Sequence, residues 1–161
     1  MIVRKATTED LESLWNRNIA AHPDNPQWVK WKAQFLADNQ TGRAATFAVL
    51  CDGEPVGEGT LLFSPECKAI RGRLALADGQ SVTNINALRI QKEHEGKGYI
   101  SALVHEMEAY ARQNGYASVT IGVEAKETRN LAIYLHWGYN RFVCSEMDGG
   151  ELVLYYAKDL G

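Results

Sequence analysis

The sequence contains few cysteines, and their spacing argues against a disulfide-stabilised fold. Only 3 of the 161 residues are cysteine. Cys51, Cys67 and Cys144 form an odd set without a CxxC pair, whereas disulfide frameworks usually contain an even number of cysteines. Free thiols are typical of a reducing compartment, so we expect a cytoplasmic protein.

Other absences narrow the class of partner. The chain lacks a basic excess, since its formal net charge is -3 at pH 7, whereas nucleic-acid-binding domains usually carry a basic face. It has no apolar run long enough to cross a bilayer. The HExxH, paired Cys/His and GxSxG patterns are absent too, which argues against a metal site and a serine-hydrolase nucleophile. We therefore expect no nucleic-acid, membrane or metal partner.

The composition is that of an ordinary globular chain. Hydrophobic residues make up 45% and charged residues 23% of the sequence, which is close to the average for folded domains. A chain of 161 residues is long enough to bury a sizeable core. Since no repeat, low-complexity tract or linker divides it, we predict a single domain over residues 1–161.

Local patterns predict the element order β-α-α-β-β-β-α-β-α-β-β. Thr7 and Asp10 have the spacing of a capping pair ahead of the first helix. Asp52 and Gly53 lie between two strand-like runs, which is a strong hairpin signal. The order predicts a mixed α/β fold with one parallel strand–helix–strand crossover in its middle.

The predicted crossover contains a glycine-rich turn. The run Val82–Ile90 is predicted as a strand with Val82, Asn84, Asn86 and Leu88 on one side. Gly96-Lys97-Gly98 follows it and opens an amphipathic helix. Glycines at such a turn let the backbone approach an anion, and the first N–H groups of the helix are free to bind it.

Spacing alone leaves the purpose of this turn open. A Walker A loop would need glycine at Gln91 and Ser or Thr at Gly98. A dinucleotide fingerprint would need a third glycine at Ser101. Both alternatives fail, and an ordinary strand-to-helix turn explains two glycines equally well.

A second motif follows the predicted strand Ala117–Val123. It has the pattern N-x-A-x-Y-x-x-x-G, in which Asn130 is the first residue, Tyr134 the middle one and Gly138 the last. Asn130 is predicted to cap a short helix that Gly138 ends. The alternative interpretation is a capped two-turn helix whose tyrosine packs into the core.

Together the two motifs resemble the GNAT superfamily of N-acetyltransferases. The segment Glu95–Leu103 resembles the signature in which Arg or Gln, two residues, Gly, one residue and Gly or Ala cradle the pyrophosphate of coenzyme A. The segment Asn130–Tyr139 resembles the helix whose Asn contacts the coenzyme and whose Tyr faces its sulfur. This resemblance implies a mainly antiparallel sheet of about six to seven strands flanked by about four helices.

The resemblance also implies the coenzyme-binding residues. They are backbone groups at the end of the fourth strand, the cradle itself and one residue of the later helix: Leu88, Arg89, Ile90, Glu95, Gly96, Lys97, Gly98, Tyr99, Ile100, Ser101 and Asn130. Two positions depart from the family pattern. Glu95 replaces the usual Arg or Gln, and Ile100 replaces the usual Gly or Ala, so we expect weaker coenzyme binding.

The implied reaction is direct attack of a primary amine on the thioester of acetyl-CoA in a ternary complex. Tyr134 would protonate the leaving thiolate. Glu124 is the preferred candidate for the base that deprotonates the amine, and Glu93 and His94 are its competitors. A small-molecule acceptor is expected; a peptide or protein acceptor, and a non-catalytic module that only binds acyl-CoA, stay open. A homodimer is also left open.

The resemblance finally implies where the acceptor binds. In this family the acceptor pocket is usually built from the first helix pair and the loop between the last two strands. Those segments carry several acids and no Lys or Arg: Asp24, Glu146, Asp148 and Glu151. Clustered carboxylates would attract an ammonium group, so a cationic acceptor is expected.

Overall fold

Seven strands form one open sheet with two helices on each of its faces, and the computed structural model describes all 161 residues. The strands are β1 (Ile2–Lys5), β2 (Ala44–Cys51), β3 (Glu54–Leu62), β4 (Val82–Ile90), β5 (Ser118–Glu124), β6 (Arg141–Asp148) and β7 (Glu151–Asp159). The helices are α1 (Thr8–Ala21), α2 (Gln27–Thr41), α3 (Tyr99–Gln113) and α4 (Thr128–His136). None of these helices is both long and apolar enough to span a lipid bilayer.

The sheet order is β1-β2-β3-β4-β5-β7-β6. Only β4 and β5 run parallel, and every other neighbouring pair is antiparallel. A parallel pair needs a long crossover, which α3 supplies here. The predicted mixed α/β fold with a mainly antiparallel sheet is confirmed.

The start of α1 follows directly from local chemistry. The Thr7 hydroxyl accepts a hydrogen bond from the Asp10 N–H at 3.1 Å, and the Asp10 carboxylate accepts one from the Thr7 N–H at 2.9 Å. This reciprocal pair is a capping box that satisfies two otherwise unpaired N–H groups. The prediction made from these two residues is confirmed.

Two hydrophobic cores lie on opposite faces of the sheet. Helices α1 and α2 cover one face, where Leu11, Trp15 and Phe35 are buried. Helix α3 covers the other with Leu103 and Met107, and α4 packs beside it through partly buried aromatic side chains. The sheet therefore separates an α1/α2 face from an α3/α4 face.

A bulge in β4 changes the direction of its side chains. In the pairing with β3, Asn86 faces Thr60 but Arg89 faces Glu58, so Gly59 lies opposite two residues. Ala87 has the left-handed φ of +55° that the extra residue requires. Leu88 therefore points to the α3/α4 core, and the prediction that it shares a side with Asn86 is wrong.

Strands β4 and β5 separate after four paired residues. Their parallel ladder runs from Val82–Ser118 to Ile85–Ile121 and then stops. The Gln91 N–H donates to the Val56 carbonyl of β3 at 2.9 Å. Since N–H groups alternate in direction along a strand, those of Leu88 and Ile90 point away from β3 into the gap.

One other local prediction differs from the structure. Helix α4 begins at Thr128, so Asn130 lies inside its first turn and does not cap it. The Asn130 side chain is therefore exposed and free to contact a ligand.

Candidate active site

A cleft of about 760 Å³ lies where the end of β4 meets the start of α3, with α1 and α4 on its sides. Its lining includes every predicted coenzyme-binding residue except Lys97, which is exposed outside it. Tyr134 also lines this cleft, whereas Glu124 does not. The fold thus brings the two motifs together around one cavity.

The glycine turn has the geometry of an anion site. Gly96 and Gly98 have left-handed φ values of +74° and +79°, and no atom lies within 4 Å of where a Cβ would be. Gly98 is the N-cap residue of α3, and no side chain caps this helix end. The first N–H groups of α3 are therefore free to bind an anion, which the helix dipole also favours.

The two departures from the family pattern have different consequences. The Glu95 side chain is exposed and has no ion pair with Lys92 or Lys97, so its charge stays uncompensated at the rim of the cleft. Ile100 packs against the α3/α4 core, as its helical spacing indicates. Its side chain therefore leaves the N-terminus of α3 accessible.

Tyr134 projects from α4 toward the gap between β4 and β5. Its ring lies 5.8 Å from the Trp137 ring, centre to centre, and its hydroxyl has no hydrogen bond to the protein. Burial raises the pKa of Tyr134 above the ordinary value of 10.0. The hydroxyl is thus a protonated and unoccupied donor.

A second cavity, of about 270 Å³, lies in the gap itself. Asn86, Glu124 and Tyr155 line it, and Tyr134 lies at its junction with the larger cleft. The Glu124 carboxylate is 42% exposed and lies 3.6 Å from the Lys126 Nζ. It is therefore accessible to a substrate that reaches this cavity.

The two competing base candidates are placed differently. Glu93 is exposed and lines neither cavity. His94 lines the cleft on the cradle side, where its ring stacks on Tyr99 with 5.9 Å between centres. Its Nδ1 atom is buried without a partner. Only His94 of this pair is in a position to meet a bound molecule.

Sequence reasoning missed a buried carboxylate in the cleft. Glu58 of β3 lines it, with 2% of its side chain exposed. It accepts hydrogen bonds from Asn18 Nδ2 at 2.9 Å and from Arg89 Nη2 at 3.4 Å. A charge within a run of buried residues is costly unless it is paired, and this could have signalled a functional residue.

Three of the four acids expected to attract a cation are paired with bases, whereas Asp24 is exposed and has no ion pair. The pairs are Arg71 with Asp148 at 2.6 Å, Arg73 with Glu146 at 2.7 Å and Lys126 with Glu151 at 2.8 Å. All three bases lie outside the helix-pair and β6–β7 segments from which the acceptor pocket was predicted. The surface between β6 and β7 therefore carries little uncompensated negative charge. The expectation of a cationic acceptor loses its main support.

The fold is similar to those of solved acetyltransferases. An N-acetyltransferase from Staphylococcus aureus Mu50 is 16% identical, with 99% of this chain and 98% of that chain covered at a TM-score of 0.73. A GNAT family acetyltransferase from Elizabethkingia anophelis with acetyl-CoA bound is 14% identical, with 98% and 97% covered at 0.64. An aminoglycoside 6'-N-acetyltransferase complexed with coenzyme A is 12% identical, with 100% and 98% covered at 0.71.

Sequence comparison gives the family directly. No curated protein sequence matches the chain. The family model of the acetyltransferase (GNAT) family matches residues 7–139, which contain α1, both motifs and the gap between β4 and β5. This match covers well over half of the 161 residues. The chain therefore belongs to the GNAT family of acetyltransferases.

Proposed function

We propose that the protein transfers the acetyl group of acetyl-CoA to a primary amine of a small molecule, by direct attack in a ternary complex. One observation carries this proposal. The uncapped N-terminus of α3, with left-handed glycines before it, lies in the same cleft as the unoccupied Tyr134 hydroxyl. An anion site and a proton donor in one cleft match the two ends of acetyl-CoA, its pyrophosphate and its thioester.

The residues of the cleft fit acetyl-CoA. The open backbone at Gly96 and Gly98 and the N–H groups from Tyr99 to Ser101 would bind the pyrophosphate. The N–H groups of Leu88 and Ile90 would hold the pantetheine arm along β4, with Asn130 opposite. When bound, acetyl-CoA supplies the thioester that is attacked.

Two protons must move during transfer. The acceptor amine has to lose a proton to a base, for which we propose Glu124. The departing thiolate has to gain one, and Tyr134 is the proposed donor. Fixed N–H groups at the gap would stabilise the negative charge that develops on the thioester oxygen.

A small acceptor is favoured over the alternatives. The aminoglycoside acetyltransferase among the similar folds is named for a small-molecule acceptor. A protein acceptor would need an open groove, whereas the cavity in the gap is only about 270 Å³. The exposed Glu95 charge is the feature that fits a module that binds acyl-CoA without turnover, while the unoccupied Tyr134 hydroxyl argues against such a module.

Acetyl-CoA is expected to stabilise the folded protein. At about one hundred times its dissociation constant, a ligand that binds only the native state adds roughly 2.7 kcal/mol. For a domain of this size, that corresponds to a rise in Tm of about 5–10 °C. Differential scanning fluorimetry with acetyl-CoA up to millimolar concentration measures the shift.

Desulfo-coenzyme A is the matched control, because it keeps the pyrophosphate and lacks the thioester. It is expected to raise Tm to a similar extent. Thiol release from acetyl-CoA, followed with a panel of primary amines, then tests turnover. The proposal is wrong if acetyl-CoA gives neither a Tm shift nor binding heat.

Removing the base is expected to give a pH-dependent defect. Glu124→Gln should lower kcat/KM by roughly 10²–10⁴ at neutral pH. The defect should shrink as the pH rises toward the pKa of the free amine, since more acceptor is then already neutral. The pH profile of kcat/KM for both proteins measures this.

Glu127→Gln is the control, because Glu127 is exposed and lines neither cavity. Glu58→Gln is the discriminating variant, since it keeps an oxygen that can accept from Asn18. If Glu58→Gln has the pH-dependent defect and Glu124→Gln does not, the base is Glu58.

A further inference from the structure

The side chain of Arg89 occupies an unusual position in the cleft. Its guanidinium carbon lies 5.0 Å from the ring centres of both Trp15 and Trp28. Two tryptophan contacts fix the plane of the group while leaving its edge available for hydrogen bonds. The side chain is 32% exposed and lines the cleft. Its backbone was the predicted coenzyme contact, but its side chain points to the α1/α2 face.

Most hydrogen-bond donors of Arg89 have no acceptor. A guanidinium has five N–H donors, and the acceptor of Arg89 is Glu58 at 3.4 Å. Its Nε atom is buried without a partner. By contrast, Arg73 donates to the Ile70 and Ala69 carbonyls and to Glu146, at 2.7–2.9 Å. Every side-chain nitrogen of Arg73 donates to the protein, whereas Arg89 retains donors for a ligand.

The charges around Arg89 favour an anion at this position. Glu58 is the acid beside it, and Arg17 lines the same wall of the cleft. The Arg17 Nη1 atom donates to the Pro55 carbonyl at 2.7 Å, so this second cation is held in place. Two arginines and one carboxylate leave a net positive wall, while the acids near β6 and β7 are neutralised by their own partners.

We propose that Arg89 binds a carboxylate of the acceptor, so that the preferred acceptors are amino acids or similar amines with an acidic group. This inference rests on the proposed acetyl transfer to an amine. The carboxylate would pair with the free Nη donors of Arg89. A polycationic acceptor would instead be repelled by the positive charge of Arg89.

Matched acceptors test the inference. L-Amino acids with varied side chains are compared with their carboxamides, with kcat/KM calculated per neutral amine because the two series differ in amine pKa. A bidentate, charge-assisted contact predicts a preference for the acid of roughly 10- to 100-fold. Arg89→Gln should abolish the preference, and Arg89→Lys should retain part of it. Arg141→Gln, which changes a surface arginine paired with Asp159, should retain all of it.

Tryptophan fluorescence gives a readout that does not depend on turnover. In the presence of coenzyme A, N-acetyl-amino acids should change the emission of the tryptophans that contact Arg89, and N-acetyl-amino acid amides should not. Arg89→Gln should lose this response while acetyl-CoA still raises its Tm. A purely structural Arg89 would lower stability and leave the difference between acids and amides unchanged.

The outcomes separate the two proposals. Turnover without a preference for acids, or a preference that survives Arg89→Gln, overturns the inference and leaves the proposed function standing. If acetyl-CoA binds but no amine is acetylated, the proposed function fails, and the fluorescence titration alone decides the inference. Equal responses to acids and amides would then overturn it.

Discussion

Tyr134→Phe is expected to lower turnover by roughly 10²–10⁴ while leaving coenzyme affinity almost unchanged. The substitution keeps the ring that packs on Trp137 and removes only the hydroxyl. That hydroxyl has no partner in the protein, so its loss leaves no other group unpaired. Steady-state kcat at saturating substrates, together with the acetyl-CoA dissociation constant, measures the effect.

The pH dependence follows from the burial of Tyr134. Because burial raises the pKa of this phenol above 10.0, it stays protonated through neutral and mildly alkaline pH. The wild-type kcat should therefore show no alkaline decline from this group below its ordinary pKa. An unchanged kcat in Tyr134→Phe would mean that water or the coenzyme supplies the proton.

Tyr139→Phe is the matched control from the same segment. The Tyr139 hydroxyl donates to Glu108 Oε2 at 2.7 Å, and Lys158 also contacts this buried carboxylate. Its loss should reduce stability by about 1–3 kcal/mol. Turnover should be retained below the lowered Tm, which separates the loss of a structural hydroxyl from that of a catalytic one.

Gly98→Val is expected to abolish the coenzyme-dependent rise in Tm. Gly98 has a φ of +79°, which is strongly unfavourable for a β-branched residue. The added side chain would also stand where the backbone approaches the pyrophosphate. The expected change is from about 5–10 °C in the wild type to a shift near zero.

Gly115→Val provides a control with the same backbone strain. Gly115 follows the other end of α3, has a φ of +85° and has no atom within 4 Å of an added Cβ. It should lose stability as Gly98→Val does, yet keep the full response to acetyl-CoA. If both variants lose the response, strain in α3 is responsible and the cradle assignment is wrong.

Local signals predicted the fold well because they act over a few residues. The capping box at Thr7, the hairpin at Asp52–Gly53 and the glycines before α3 each depend on neighbouring atoms. The order of helices and strands follows from them and is confirmed. The roles of the cradle and of Tyr134 came from the resemblance, and they stay predictions that the variants above test.

The acceptor side could not be predicted because it depends on contacts across the fold. The pairing of Arg89 with Glu58 joins residues 31 positions apart, and Arg71 reaches Asp148 over 77 positions. Counting charges within the β6–β7 segment alone therefore overestimated its net negative charge. The direction of the Arg89 side chain also depends on a bulge that the alternating pattern of β4 does not reveal.

That bulge reverses which residues of the rest of β4 face each side of the sheet. Asn84 and Asn86 are two positions apart, so their side chains lie on the same side of the sheet. The single extra residue at Ala87 then moves Arg89 onto the side that Leu88 would otherwise occupy. If the same residues paired with β3 without the bulge, Arg89 would point into the apolar core around Met107 and Leu88 would point toward the tryptophans. One backbone irregularity therefore lets the same strand present Leu88 to the apolar α3/α4 core and Arg89 to the charged cleft.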